Sequence, residues 1–221
     1  METSAEGAQN TERRNPGMIG AQRKHLRREP TDTQTGATLA DLYRVPENAK
    51  AEWIDGEIVL MSPTGGVPGR ASGRIYRSLD DYERQTGGGY AFPDNVGFLV
   101  DLPNRHSFSP DAAFWVGELP SGGQFLVGAP VFAVEVRSEN DYGPEAETAI
   151  AQKRADYFAA GTLVVWDVDV LRGREIRSWR ADRPSRPETF RSGERAHAEP
   201  ALRGWILAVD EILGAGPAGS K

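Results

Sequence analysis

Short apolar runs separated by turn-forming residues occupy the middle of this sequence and predict a series of β-strands. In AEWIDGEIVLMSP, an Asp-Gly step lies between two apolar runs, which is typical of a β-hairpin. The further runs that predict strands are YAFPDNVGFLV, DAAFWV, VFAVEV, LVVWDVD and EIRSWR.

Two segments have helical periodicity instead. Residues 69–86 carry Ile75, Leu79 and Tyr82 at helical spacing, and the glycines at 87–89 end the pattern. A second helix is predicted at about 145–160, ending at Gly161. A short helical segment, ADLYRVP, precedes the hairpin, and the apolar residues of ALRGWILAVDEIL are expected to dock the end of the chain on the core.

The order of these elements is strands, helix, several strands, helix and strands. This order predicts an α/β or α+β fold, with a mixed β-sheet and helices packed on it. The length of 221 residues and the 38% hydrophobic content fit one domain, which we expect at 37–214. Residues 1–36 are polar and mixed in charge, which predicts a disordered extension, and 215–221 are expected to form a flexible tail.

Composition excludes several functional classes. The chain has no cysteine, so disulfides, iron–sulfur clusters and thiolate zinc sites are excluded, and a reducing cytoplasm is the expected location. No apolar run approaches the ~20 residues of a membrane span, so no membrane association is expected. Walker, GxGxxG, HExxH and GxSxG motifs are absent. The net charge of −6 argues against a non-specific nucleic-acid coat protein but leaves open an enzyme that contacts phosphates through a metal.

Two carboxylates in apolar segments are the main candidates for chemistry. Asp111 follows a proline in SPDAAF, and Glu135 lies 24 residues later in VFAVEV. Burying an unpaired carboxylate costs several kcal/mol, roughly, so a cation is expected beside each one. Mg²⁺ is typically held by one or two carboxylates with waters and phosphate oxygens, which suggests metal-assisted cleavage of a phosphodiester. A structural ion pair between Glu135 and Arg137 or Lys153 is the alternative.

A lysine interrupts the apolar face of the second predicted helix. Ala146, Ile150, Lys153 and Tyr157 follow one another at spacings of four, three and four, which puts them on one face. An ammonium among core-facing residues requires an anion, and Glu135 or a phosphate would serve. The alternative is that Lys153 extends its charge to solvent at the edge of the face.

Two further polar residues are weaker candidates. Glu57 follows the Asp-Gly step of the hairpin, where an acid is usually solvated. His106 lies five residues before Asp111 in a predicted loop, where a surface histidine is the commoner outcome.

Taken together, five segments resemble the Uma family of restriction endonucleases, within the PD-(D/E)XK nuclease superfamily. The resemblance covers about residues 38–213 and is carried by EWIDGEIVLMSPTGG, SPDAAFW, VFAVEVRSEND, QKRADYFAAGT and LVVWDVD in this order. It implies a restriction-endonuclease-like core that binds Mg²⁺ or Mn²⁺ and cleaves nucleic acid, DNA above all. Because two strands of a duplex require two active sites, a homodimer is also suggested.

The resemblance also implies roles for individual residues. Asp111, Glu135 and Glu57 match acids that bind the metal, with Glu57 in the GE hairpin. The superfamily lysine usually lies two residues after the second acid, where this chain has Arg137, and Lys153 matches a lysine moved onto the following helix. Arg137 could then position a phosphate through its planar guanidinium.

One departure from the family pattern keeps a second function open. Family members often carry a histidine near the start of the first long helix, whereas VPGRASGRI here has none. A non-catalytic nucleic-acid-binding or regulatory module with a nuclease fold is therefore the alternative. The predicted helix between the Glu135 strand and LVVWDVD argues against a third class, a ligand-binding β-sandwich.

Overall fold

The computed structural model describes residues 36–46 and 49–214. The predicted N-terminal extension, apart from its last residue, and the predicted tail at 215–221 lie outside the described residues. The helices are α1 Leu39–Tyr43, α2 Gly66–Thr86, α3 Pro144–Ala159 and α4 Val209–Leu213. The strands are β1 Lys50–Ile54, β2 Glu57–Met61, β3 Tyr90–Pro93, β4 Phe98–Leu99, β5 Ser107–Phe108, β6 Ala112–Trp115, β7 Leu126–Val127, β8 Phe132–Val136, β9 Val164–Asp169, β10 Glu175–Arg180, β11 Arg183–Arg191, β12 Arg195–His197 and β13 Ile206–Ala208.

A six-stranded mixed sheet forms the centre of the fold, in the order β11-β10-β9-β8-β6-β3. β8 and β9 are parallel and are connected through α3, whereas the other neighbouring strands are antiparallel. Parallel neighbours need a crossover connection, and α3 supplies the helix for it. The predicted mixed α+β fold is confirmed.

Side-chain alternation along β8 divides the core into two layers. Phe132, Val134 and Val136 face a layer that contains α2 and α4, with Trp166 packed between Phe132 and Trp205. The opposite face carries Ala133 and meets α3 and the small sheet of β4, β5 and β7. The one polar side chain of β8, Glu135, therefore points to the α3 side, as the period-two pattern predicts.

The predicted hairpin is formed by β1 and β2 around Asp55 and Gly56. Both turn residues have positive φ, 49° and 78°, which is the backbone that an Asp-Gly step favours. A β-bridge between Ile54 and Arg105 attaches β1 to the segment before β6 through two backbone hydrogen bonds: Asp55 N donates to Asn104 O, and His106 N donates to Trp53 O. These contacts bring the inner face of β1 to the same side of the sheet as α3.

β11 was not among the predicted strands. Its sequence, RPSRPETFR, contains Pro184 and Pro187, which lack the amide hydrogen that an interior strand needs. The structure accommodates both prolines because β11 lies at the edge of the sheet and pairs only with β10. No helix within the described ranges is both long and apolar enough to cross a membrane.

Two glycines predict opposite effects of alanine on stability. Gly73 lies at an exposed position inside α2 with open space where a Cβ would be, so Gly73→Ala is expected to stabilise the protein by about 1 kcal/mol through helix propensity. Gly161 follows α3 with φ 105°, which L-residues rarely adopt, so Gly161→Ala is expected to destabilise by about 1–2 kcal/mol. Urea unfolding of both variants measures these changes, and equal signs would contradict the prediction.

Candidate active site

Asp111 is held rigidly at the start of β6. Its backbone N–H donates to Val134 O over 2.9 Å, and its carbonyl accepts from Ser72 Oγ over 2.6 Å. Its carboxylate accepts from Val136 N on one oxygen and from Lys50 Nζ on the other, both over 2.7 Å. Asp111 is 7% exposed and is held by four hydrogen bonds, two to its backbone and two to its carboxylate.

Glu135 contacts two residues of α3 that lie one turn apart. Lys153 Nζ lies 2.8 Å from the carboxylate, and Tyr157 Oη donates to it over 2.6 Å. Burial raises the pKa of Glu135; Lys153 opposes this shift, and the nearby charges of Asp111 and Glu52 reinforce it. The sequence left Glu135 or a phosphate as the partner of Lys153, and the structure shows the ion pair with Glu135, which was the structural alternative to a metal site.

Glu52, on the inner face of β1, was missed in the sequence. It is 1% exposed and lies 2.9 Å from Lys153 Nζ and 2.5 Å from Arg105 Nη1, and it also accepts from Ser109 N over 3.0 Å. Burial alone would raise the pKa of Glu52, but Lys153 and Arg105 outweigh it and hold the pKa below the ordinary value. The available signal was strand alternation, which puts Lys50, Glu52 and Ile54 on one face of β1.

Glu57 does not join this group. It lies at the start of β2 opposite Ile54, is exposed, and is absent from the residues that line the cavity described below. It makes no side-chain hydrogen bond or ion pair within the described part of the chain. The acid that the hairpin contributes to the cavity is thus Glu52 and not Glu57. Glu52 lies in the buried middle of β1, whereas Glu57 lies beside the turn, where its side chain is exposed to solvent.

Lys50 is a second lysine that the sequence did not single out. Its Nζ lies 2.7 Å from both Asp94 and Asp111. Burial would lower the pKa of Lys50, but the carboxylates of Asp111, Glu135 and Asp94 outweigh burial and raise it. The ammonium of Lys50 is therefore a fixed cation beside Asp111.

Two residues considered in the sequence contact other side chains and not Asp111 or Glu135. The guanidinium of Arg137 donates to both oxygens of Asp167 over 2.6 and 2.7 Å, and its other edge binds Glu147. It is therefore occupied by carboxylates and not available as a phosphate fork. The ring of His106 packs against Trp53 with centroids 4.3 Å apart and the rings tilted by 46°, and it does not line the cavity.

A cavity of about 750 Å³ joins these groups. Asp111, Glu135 and Lys153 line it, together with Glu52 and the start of α2. Two chains of ion pairs lie around it in the described part of the protein: one runs through Asp94, Lys50 and Asp111, and the other through Glu135, Lys153, Glu52, Arg105 and Asp156. Three carboxylates and three cations of these chains line the cavity, so their charges balance when every group is ionised.

The donor set fits a hard divalent cation. Within the described ranges, no three His, Cys, Asp or Glu side chains are grouped closely enough to hold a metal by themselves. Mg²⁺ does not need such a group, because one or two carboxylates with waters and phosphate oxygens suffice. Asp111 and Glu135 supply two such carboxylates on one cavity.

A solved structure shares the fold. It is described as the crystal structure of a putative nuclease belonging to DUF820 from Anabaena variabilis, and it aligns with a TM-score of 0.63 and 17% sequence identity. The alignment covers 80% of this chain and 97% of that chain. At this identity the likeness shows the fold. No curated protein matches the chain.

The family comparison agrees with the resemblance seen in the sequence. The Uma2 family, described as "Putative restriction endonuclease", matches residues 38–210. This range runs from the N-cap of α1 into α4 and includes every residue of the cavity. The chain belongs to the Uma2 family.

Proposed function

We propose that this protein is a metal-dependent endonuclease of the PD-(D/E)XK type that hydrolyses phosphodiester bonds in DNA. Membership of the Uma2 family and the nuclease-like fold support nuclease activity. The observation that carries the proposal is a pair of carboxylates, the buried Asp111 and the partly buried Glu135, in a cavity that also holds Lys153.

Asp111 and Glu135 would hold Mg²⁺ or Mn²⁺, which would polarise the scissile phosphate and acidify a bound water. Lys153 keeps its ammonium between Glu135 and Glu52, where it can orient the attacking water or stabilise charge that develops on the phosphate. Tyr157 is a positioning residue, since its hydroxyl holds the Glu135 carboxylate and its ring stacks on Phe108 with centroids 3.9 Å apart.

The remaining groups of the cluster keep these residues in place. Arg105 holds Glu52 from the side opposite Lys153, and Lys50 holds one oxygen of Asp111. We assign Glu52 the supporting role that the family resemblance suggested for Glu57. A homodimer would supply the two active sites that cutting a duplex requires, and a reducing cytoplasm suits a chain without cysteine.

Calorimetric titration of Mn²⁺ tests the metal site without assuming a substrate. We expect the wild type to bind Mn²⁺ and Asp111→Ala to lose the binding heat, because the variant removes one of two carboxylate ligands. Glu57→Ala removes a carboxylate from the exposed end of the hairpin and serves as the matched control, with binding expected to be unchanged.

Three outcomes of the titration are informative. Binding that disappears in Asp111→Ala alone supports the metal site. Loss of binding in Glu57→Ala would return that residue to the site. A folded wild type that binds no Mn²⁺ would favour a non-catalytic nucleic-acid-binding module. The ion pairs of Lys50 with Asp111 and of Lys153 with Glu135 would then compensate the two carboxylates without a metal.

A further inference from the structure

Arg154 follows Lys153 on α3 and lines the same cavity. Its side chain is partly buried, and its Cζ lies 3.6 Å from the centroid of the Trp179 ring. At this distance the guanidinium lies against the face of the indole. The N–H groups lie in the guanidinium plane, so the indole fixes the side chain while leaving its hydrogen-bonding edges free.

Arg154 differs from the other cations of the cavity. Four of the five cationic side chains that line it lie within 2.9 Å of a carboxylate oxygen: Lys50, Arg105, Arg137 and Lys153. The side chain of Arg154 has no hydrogen bond or ion pair with any residue that the structure describes. A partly buried guanidinium with unused donors is a suitable site for an anion.

The two carboxylates whose charges act most strongly on Arg154 are already bound by another arginine. Asp167 and Glu147 both bind the guanidinium of Arg137. Burial lowers the pKa of Arg154; Asp167 and Glu147 oppose this shift, and Arg137 and Arg177 reinforce it. The charged form of Arg154 is thus only partly compensated by the protein, so an incoming anion would gain from it.

We propose that Arg154, held flat against Trp179, binds a non-bridging oxygen of a backbone phosphate adjacent to the scissile phosphate of the nucleic acid. The planar guanidinium matches the geometry of a phosphate, and a shared cavity puts this contact beside Asp111 and Glu135. This inference rests on the proposed nuclease function and extends it to how the substrate backbone is positioned.

The test is the salt dependence of binding, measured without metal so that no cleavage occurs. The anisotropy of a labelled oligodeoxynucleotide, single-stranded or duplex, gives Kd over a range of KCl concentrations for the full-length chain. Arg154→Gln is expected to weaken binding about ten-fold at low salt. The slope of log K against log salt should become shallower by about 0.9 for a duplex or about 0.7 for a single strand.

Two further variants separate a phosphate contact from a general effect of charge. Arg84→Gln removes the same charge from an exposed position of α2 outside the cavity, and it should change neither affinity nor slope. Arg154→Lys keeps the charge but loses the planar stack, and we expect it to restore the slope and only part of the affinity. If Arg154→Gln does not fold, the lower affinity expected for Arg154→Lys still tests the phosphate contact.

The two proposals fail in different ways. Equal Kd and equal slope for the wild type and Arg154→Gln would overturn the phosphate contact but leave in place the nucleic-acid binding that the proposed function requires. If Arg84→Gln weakens DNA binding as much as Arg154→Gln does, the phosphate contact is also overturned. If the folded wild type binds neither single-stranded nor duplex DNA, both proposals are overturned.

Discussion

Replacing Glu135 by glutamine is expected to lower the rate of DNA cleavage by about a thousand-fold or more while the protein stays folded. Glutamine keeps the shape of the side chain and can still accept from Tyr157, but it removes one of the two carboxylates proposed to hold the metal. Lys153 is not left unpaired in this variant, because Glu52 lies 2.9 Å from its Nζ. The loss should therefore be chemical and not structural.

Cleavage of supercoiled plasmid with Mg²⁺ or Mn²⁺, followed over time, measures this effect. Glu139→Gln is the matched control, because Glu139 lies just after β8 on the rim of the same cavity, with a side chain that is 77% exposed. The control should cleave at the wild-type rate. An active Glu135→Gln variant would remove this residue from the proposed mechanism.

Arg105→Leu is expected to destabilise the protein by about 3–5 kcal/mol. Arg105 is 5% exposed and bridges two buried acids, Glu52 at 2.5 Å and Asp156 at 2.9 Å. Removing it leaves both carboxylates buried with fewer compensating charges, which costs far more than the loss of an exposed pair. Arg183→Leu breaks the exposed pair with Glu188 and should cost less than about 1 kcal/mol.

The loss in Arg105→Leu should also depend on pH. In the wild type the pKa of Glu52 lies below its ordinary value of 4.5, so ionised Glu52 contributes stability that is present above pH 4.5 and is lost as the pH falls through the folded pKa. Without Arg105 the folded pKa rises, and that contribution disappears. Urea unfolding should therefore show a smaller difference between variant and wild type as the pH falls below 4.5, and a constant difference would contradict this explanation.

Most elements of the fold could be predicted from local patterns. The Asp-Gly hairpin, the end of α2 at Gly87 and the end of α3 before Gly161 each follow from residues within a few positions of the feature. β11 could not be predicted, because its two prolines are tolerated only at a sheet edge, and the position of a strand in a sheet is not encoded locally.

The contact between Lys153 and Glu135 was also accessible from the sequence. An acid in a buried strand and a lysine on the apolar face of the following crossover helix must meet when both line the same side of the sheet. Helical spacing alone also identified Tyr157, although only the structure shows its hydroxyl on the Glu135 carboxylate.

The choice between Glu52 and Glu57 needed the tertiary structure. Both acids flank the same Asp-Gly turn, and neither local spacing nor composition distinguishes them. Glu52 becomes buried because β1 docks on the segment that carries Arg105 and His106, whereas Glu57 remains at the exposed end of the hairpin.

Periodicity in this chain decides which residues form helices and strands and which face of each element is apolar, since those properties depend on neighbours along the backbone. Which charges meet in the cavity depends on contacts between residues far apart in sequence. Lys50 reaches Asp111 across 61 positions and Arg105 reaches Glu52 across 53. Among the described residues Arg154 has no carboxylate partner while Arg137 occupies both Asp167 and Glu147, and this competition between side chains exists only in the folded protein.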